Sequence, residues 1–227
     1  LDASSGQVLW ARAGLDLAAA LPSAVSALLT FSDLAVSSQR VYFNATAGLP
    51  LVAALDLATG TAVFDMGLAG SNGGVLQLDP LEQRLAVSSV NFNILFGGAV
   101  QTFVRVLDAG SGAPVASADF LQAAGELRFN SLGTELYGLQ YTDGAKAGQP
   151  FANAFVWGLD LALDQLVFSQ PVSPNFGADR VFTARLGIGP GGALLVAAAA
   201  SQPELTPVQQ PNVEVLTFSS TNGSPLG

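Results

Sequence analysis

Short apolar runs alternate along the chain with clusters of Gly, Asp, Ser and Asn. The runs at 75–78, 84–90, 103–107 and 113–118, and again at 126–129, 135–141, 154–159 and 165–169, are rich in Val, Leu, Phe and Tyr. Runs this short with turn formers on both sides predict buried strands rather than helices. Helical periodicity is confined to residues 15–29, where Pro22 limits a helix to one or two turns.

Two patterns repeat. The first is an apolar strand, a Leu-Asp turn, a Gly and a second apolar strand. It starts at Leu1, Leu55 and Leu107, in degenerate form at Leu159, and in weaker form at Phe218. The second is a turn followed by a short apolar strand, at residues 38–43, 82–87, 133–138 and 191–196, each between two copies of the first. An Asp or Ser shortly before a Gly is turn chemistry, because the side chain accepts a backbone N–H and Gly supplies positive φ. A repeat of roughly 50 residues with about four strands is the signature of a propeller blade. The predicted fold class is therefore all-β: a β-propeller of four-stranded blades within one domain, 1–227, with repeat units at about 7–60, 61–112, 113–164 and 165–223. The turn at 1–6 duplicates the one at 218–223. That duplication favours an arc of a larger propeller over a closed ring of four blades.

Composition narrows the chemistry. The chain has 227 residues, of which 50% are apolar and only 11% charged, with a net charge of −9, 25 Gly, 12 Pro, and neither Cys nor His. A disulfide framework, a thiolate nucleophile, a Cys/His zinc site and a Ser-His-Asp triad are excluded. With Lys146 as the single lysine in an acidic chain, nucleic-acid binding is disfavoured, since counterion release needs clustered cations. The uncharged stretches at 17–32, 85–104 and 186–203 are broken by Pro, Gly and Ser, so no transmembrane helix is expected. The absence of Cys fits an extracytoplasmic or secreted protein, and the scarcity of charge fits a surface covered by other subunits, further blades or glycans, or an Ala- and Gly-favouring genome.

The run Asp2-Ala3-Ser4-Ser5-Gly6-Gln7-Val8-Leu9-Trp10 resembles the blade signature of quinoprotein-like propellers. The resemblance implies that the Trp docks adjacent blades. Phe64 and Phe168 stand in its place in later copies, with Val115 nearby in the third. The run Gly133-Thr134-Glu135-Leu136-Tyr137 resembles YVTN-type propellers. Quinone-dependent members of the first group commonly carry a vicinal cysteine pair and an acidic calcium cluster, and the absence of cysteine here argues against a bound quinone.

Asp2, Asp56, Asp108 and Asp160 recur once per blade. A ring of cation-binding carboxylates would use such a pattern, but repetition in every blade reads better as a turn cap. Asp160 and Asp164 lack neighbouring oxygen ligands for calcium. The glycine-rich run at 187–192 lacks the Lys and helix of a phosphate loop and reads as a hairpin turn. The connections between second and third strands, at 45–50, 92–101, 142–153 and 202–212, vary most. Variable loops on a rigid repeat carry recognition, and the partner-binding candidates are Asp143, Lys146, Gln149, Glu204, Gln209 and Gln210. Asn44 and Asn222 lie in glycosylation sequons.

No catalytic, cofactor-binding or metal-ligating residue emerges, and no cofactor is expected. The function expected is a non-catalytic scaffold or binding module for protein partners, or for the remaining blades of a larger chain. The alternative is a propeller enzyme, a hydrolase, lactonase or quinoprotein-like oxidoreductase, working through the central channel.

Overall fold

A computed structural model of the chain describes residues 11, 14–26, 28–91, 100–121, 123–142, 153–172, 181–200 and 212–226. It divides into two compact units, Leu1–Asp119 and Phe120–Gly227.

In the first unit a short helix, α1 (Gly14–Ala19), precedes two antiparallel four-stranded sheets. Blade 1 runs β1 (Thr30–Val36), β2 (Arg40–Ala47), β3 (Leu49–Asp56) and β4 (Ala62–Gly67). Blade 2 runs β5 (Asn72–Leu78), β6 (Arg84–Asn91), β7 (Gln101–Asp108) and β8 (Pro114–Phe120). In both, sequence order is spatial order, so each strand pairs antiparallel with the next. The second unit repeats the scheme. Blade 3 runs β9 (Ala123–Phe129), β10 (Glu135–Thr142), β11 (Asn153–Asp160) and β12 (Gln165–Val172). Blade 4 has three strands among the described residues, β13 (Val181–Ile188), β14 (Leu194–Ala200) and β15 (Asn212–Phe218). The all-β blade architecture predicted from the sequence is present, and its strands lie where the apolar runs placed them. The sheets begin one strand later than the sequence repeats, because the Leu-Asp turn is a hairpin between the third and fourth strands of one sheet.

The middle strands are buried on both faces. Residues 51–54 of β3 and 85–87 of β6 are fully enclosed, which is why they read as continuous apolar runs. One face of blade 1 packs on blade 2 through Tyr42, Val52, Ala54, Leu76, Leu85 and Val87. Its other face, with Phe43, Ala45, Leu51 and Ala53, is covered by Leu17 and Leu21 from α1 and the chain just after it. The few helical turns predicted before Pro22 thus exist to seal a sheet face. Blades 3 and 4 share their own core, with Leu139, Val156, Leu186, Leu194 and Val196 at its centre.

One predicted loop is corrected. Residues 45–50 are not a loop: β2 and β3 pair from Arg40↔Asp56 to Ala47↔Leu49, with Gly48 alone at the bend. An Asn-Ala-Thr-Ala-Gly sequence looks loop-like, but the alternate apolar neighbours of both strands bury it.

Candidate functional site

The recurring acidic turn joins the third and fourth strands of blades 1 to 3. Asp56 accepts hydrogen bonds from the Ala58 and Thr59 N–H groups and from the Thr59 hydroxyl, at 3.1, 2.8 and 2.8 Å. Asp108 accepts from the Ser111 N–H and hydroxyl, both at 2.7 Å. Asp160 accepts from the Ala162 and Leu163 N–H groups at 2.8 and 3.0 Å. In the weak fifth copy Ser219 takes the Asp position and its Oγ accepts from the Thr221 N–H. Asp2 lies outside the described residues. The Asp164 backbone has φ 50°, in the place held by Gly in the other copies. These carboxylates are turn caps, as the sequence pattern implied. The Thr59 hydroxyl first, then its N–H, holds the Asp56 carboxyl below its usual range, and Ser111 does the same for Asp108.

A second turn, between the first and second strands, was missed as a chemical motif. Asp79 Oδ1 accepts from the Gln83 and Arg84 N–H groups at 2.7 and 2.9 Å. Asn130 Oδ1 accepts from Thr134 N–H at 2.8 Å, and Ser37 Oγ from Arg40 N–H at 2.9 Å. The signal was present as a Ser, Asp or Asn that follows the first strand of blades 1 to 3. In blade 4 the same hairpin is the 187–192 run, where Pro190–Gly192 forms a single 3-10 turn, as its sequence predicted.

Between these turns in the first unit lies a polar pocket of about 210 Å³, bounded by Ser37, Ser38, Arg40, Tyr42, Leu81 and Glu82. The Arg40 guanidinium donates to the Ala109 carbonyl at 2.6 Å, and the Tyr42 hydroxyl donates to the same oxygen at 3.1 Å. Arg40 also attracts Asp56 and Asp108, one in each blade. Glu82 accepts from Ser38 N–H at 3.0 Å and from the Ser38 hydroxyl at 2.5 Å. That hydroxyl first, then the N–H, pushes the Glu82 carboxyl below its usual range. The Ser38–Glu82 pair ties the first hairpin of blade 1 to that of blade 2.

Asp56, Asp108 and Glu82 all have folded pKa values below their unfolded ones. Such groups stabilise the fold above the unfolded value, and that contribution is lost as pH falls through the folded value. The urea midpoint is expected to decline below about pH 4. In a Asp56→Asn, Asp108→Asn, Glu82→Gln variant that decline should be shallower; an unchanged slope would remove these three groups as its source.

The first strands carry a further set of ties. Asp33 Oδ2 accepts from Leu76 N–H at 2.8 Å, from blade 1 to blade 2. Glu126 Oε2 accepts from Leu186 N–H at 2.8 Å, from blade 3 to blade 4, while its other oxygen pairs with Arg185 at 2.6 Å. Tyr141 donates to the Ala184 carbonyl at 3.0 Å. Where β5 bulges between Gly73 and Leu76, its freed N–H groups bond Thr46 Oγ1 (3.0 Å) and Ser88 Oγ (2.9 Å). Asn44 Nδ2 donates to the Ser88 carbonyl at 2.7 Å. Buried backbone groups displaced from a ladder must find partners, and side chains supply them here.

That network corrects one sequon. Asn44, a glycosylation candidate by its sequon, lies within β2, is fully buried, and its amide nitrogen is already engaged. Asn222 is exposed in the turn after β15. Expression in a glycosylating secretory host should therefore add a single glycan, removed by Asn222→Gln; mass loss on Asn44→Gln would contradict the buried placement. The candidates Asp143, Lys146, Gln149, Glu204, Gln209 and Gln210 all lie outside the described residues. Among the described residues no three His, Cys, Asp or Glu side chains converge as a metal site, and no helix is long and apolar enough to cross a membrane.

The protein has a β-propeller fold built of antiparallel four-stranded blades. Solved structures similar to it include the hydrazine synthase of Kuenenia stuttgartiensis, with TM-score 0.61 and 15% identity, covering 84% of this chain and 52% of that one. The β-propeller domain of the Trilobed protease from Pyrococcus furiosus matches with TM-score 0.56 and 13% identity, over 88% of this chain and 57% of that one. Pyrococcus horikoshii acylaminoacyl peptidase matches with TM-score 0.54 and 12% identity, over 90% of this chain and 33% of that one. The chain spans about half the length of the first two and a third of the last. At these identities the likeness carries the fold alone. No protein-family model matches the chain, and no curated protein matches it in sequence.

Proposed function

We propose that this chain is a non-catalytic β-propeller module, of the quinoprotein-like and YVTN-type blade class, that presents its variable loops to a protein partner within a larger assembly or outside the cytoplasm. One observation carries the reading: the recurring carboxylates Asp56, Asp108 and Asp160 each commit an oxygen to N–H groups of their own turn, and Asp33 and Glu126 each accept a backbone N–H of the following blade. The repeated chemistry therefore serves architecture, and the blades differ from one another chiefly in the connections between second and third strands. The blade class is supported by the Asp-x-x-Thr/Ser-Gly turns and by Phe64, which packs on the Gly112 turn of the next blade as the resemblance implies for Trp. An extracytoplasmic setting is supported by the lack of cysteine.

The test replaces residues 143–152 and 202–211 by Gly-Ser linkers of equal length. The thermal midpoint should stay within a few degrees, since surface loops tolerate such change. Cross-linking in the source cell should yield a discrete heteromeric species with the native chain and none with the replaced one. Absence of that species from the native chain, or its persistence after replacement, overturns the proposal.

A further inference from the structure

We propose that the polar pocket of the first unit, between the hairpins of blades 1 and 2, binds a small polar α-amino acid in its zwitterionic form. The pocket holds about 210 Å³, below the roughly 300–1,000 Å³ of sites for drug-sized ligands. It lies at the end of these blades where the first and second strands are joined. The connections between second and third strands leave from the opposite end. The site is therefore separate from the loops assigned to a protein partner above.

Two opposite charges line the pocket, Arg40 and Glu82. They do not pair with one another: among the described residues the ion pairs join Arg105 to Asp119, and Arg128 and Arg185 to Glu126. Arg40 spends one donor on the Ala109 carbonyl at 2.6 Å, and the rest of its guanidinium has no hydrogen-bond acceptor among the described residues. That open fork suits a carboxylate, which a guanidinium grips through parallel N–H···O bonds. Glu82 accepts from the N–H and the hydroxyl of Ser38. An ionised carboxyl offers about four acceptor sites, so room remains for an ammonium group. The Gln39 carboxamide stands on the same lining and supplies a donor and an acceptor for a polar side chain.

Charge balance decides between ligand classes. Asp56 and Asp108 share the field of Arg40, and the chain as a whole carries −9, so a bare anion meets repulsion here. A zwitterion sets its carboxylate on Arg40 and its ammonium on Glu82 and adds no net charge. The backbone of Glu82 supports the same assignment. Its φ is 56°, a conformation that favours glycine. The matching turn of blade 3 has Gly133 there, at φ 66°, and both turns close by the same N–H to carbonyl bond, Glu82 to Asp79 and Gly133 to Asn130, each at 3.1 Å. A side chain kept where glycine fits better is one whose chemistry is used.

Isothermal titration of the full chain with L-serine tests this, and one saturable site is expected. Ethanolamine, which lacks the carboxylate, and 3-hydroxypropanoate, which lacks the ammonium, should each bind at least about tenfold more weakly. Arg40→Lys keeps the charge but loses the fork, and should weaken L-serine binding at least about tenfold. Glu82→Gly should weaken it as much while the thermal midpoint stays within a few degrees, because glycine relieves the backbone. Glu82→Gly carries the test alone should Arg40→Lys fail to fold. Absence of a saturable site for L-serine overturns the proposal. So does equal affinity for either fragment, which would show a simple ion site, or tighter binding of methyl glucoside, which would show a polyol site. Unchanged affinity in either variant would place the binding elsewhere and overturns it too.

Discussion

Gly112→Ala is expected to lower stability by about 2–5 kcal/mol, and Phe64→Leu should restore part of that loss. Two effects add at this position. Gly112 has φ +74°, a conformation that costs an L-residue roughly 1–2 kcal/mol. A Cβ there would also meet the Phe64 ring at 2.6 and 2.8 Å, and overpacking of that kind costs about 1–3 kcal/mol. Removing the ring's edge relieves the second effect and leaves the first. Gly191 is the control. It has φ +71° with nothing within 4 Å of a Cβ, so Gly191→Ala should show only the conformational part, about 1–2 kcal/mol. Urea denaturation of the four variants separates the effects. Equal losses at 112 and 191, or no rescue by Phe64→Leu, would mean that the aromatic contact does not shape this seam.

Trp157→Ala should cost about 3–5 kcal/mol, the range for emptying a large buried aromatic site. Trp157 is fully enclosed in β11, and its ring lies over Gly138, its cross-strand neighbour in β10, where any side chain would collide with it. The more telling variant is Trp157→Phe. The indole Nε1 is buried and has no hydrogen-bond partner among the described residues. An unsatisfied buried donor carries a penalty of about 1–3 kcal/mol, which Phe removes while keeping most of the ring. The two changes offset, so Trp157→Phe should lie within about 1.5 kcal/mol of the parent. A loss as large as that of Trp157→Ala would mean that the N–H is satisfied in solution. Gly138→Ala should be as damaging as Trp157→Ala, because the ring is boxed in by the sheet and cannot move aside.

The acidic turns were legible because their chemistry is local. Asp, a hydroxyl three residues on and a Gly after it form a complete hydrogen-bonded unit, whatever lies around them. The second turn was half legible: its strands showed, but its caps Ser37, Asp79 and Asn130 differ in type and share only a position. The roles of Asp33, Glu126 and Tyr141 were not legible. Each bonds a backbone group more than 40 residues away, and no short window of sequence contains both partners. Asn44 shows the converse failure. Its tripeptide reads as a surface sequon, yet a bulge in a different blade draws its amide inward.

Period and composition therefore settled the architecture: strand length, hairpin order and repeat spacing follow from side-chain alternation and turn chemistry along the chain. The same residue counts removed whole classes of catalysis, because a missing imidazole or thiol cannot be supplied by folding. The tertiary structure decided which strands share a sheet, and which remote backbone groups Asp33, Glu126 and Tyr141 reach. It also decided that a turn glycine is required by a neighbouring ring as well as by its own backbone. Those outcomes depend on distances between segments remote in sequence, which only the packed chain brings together.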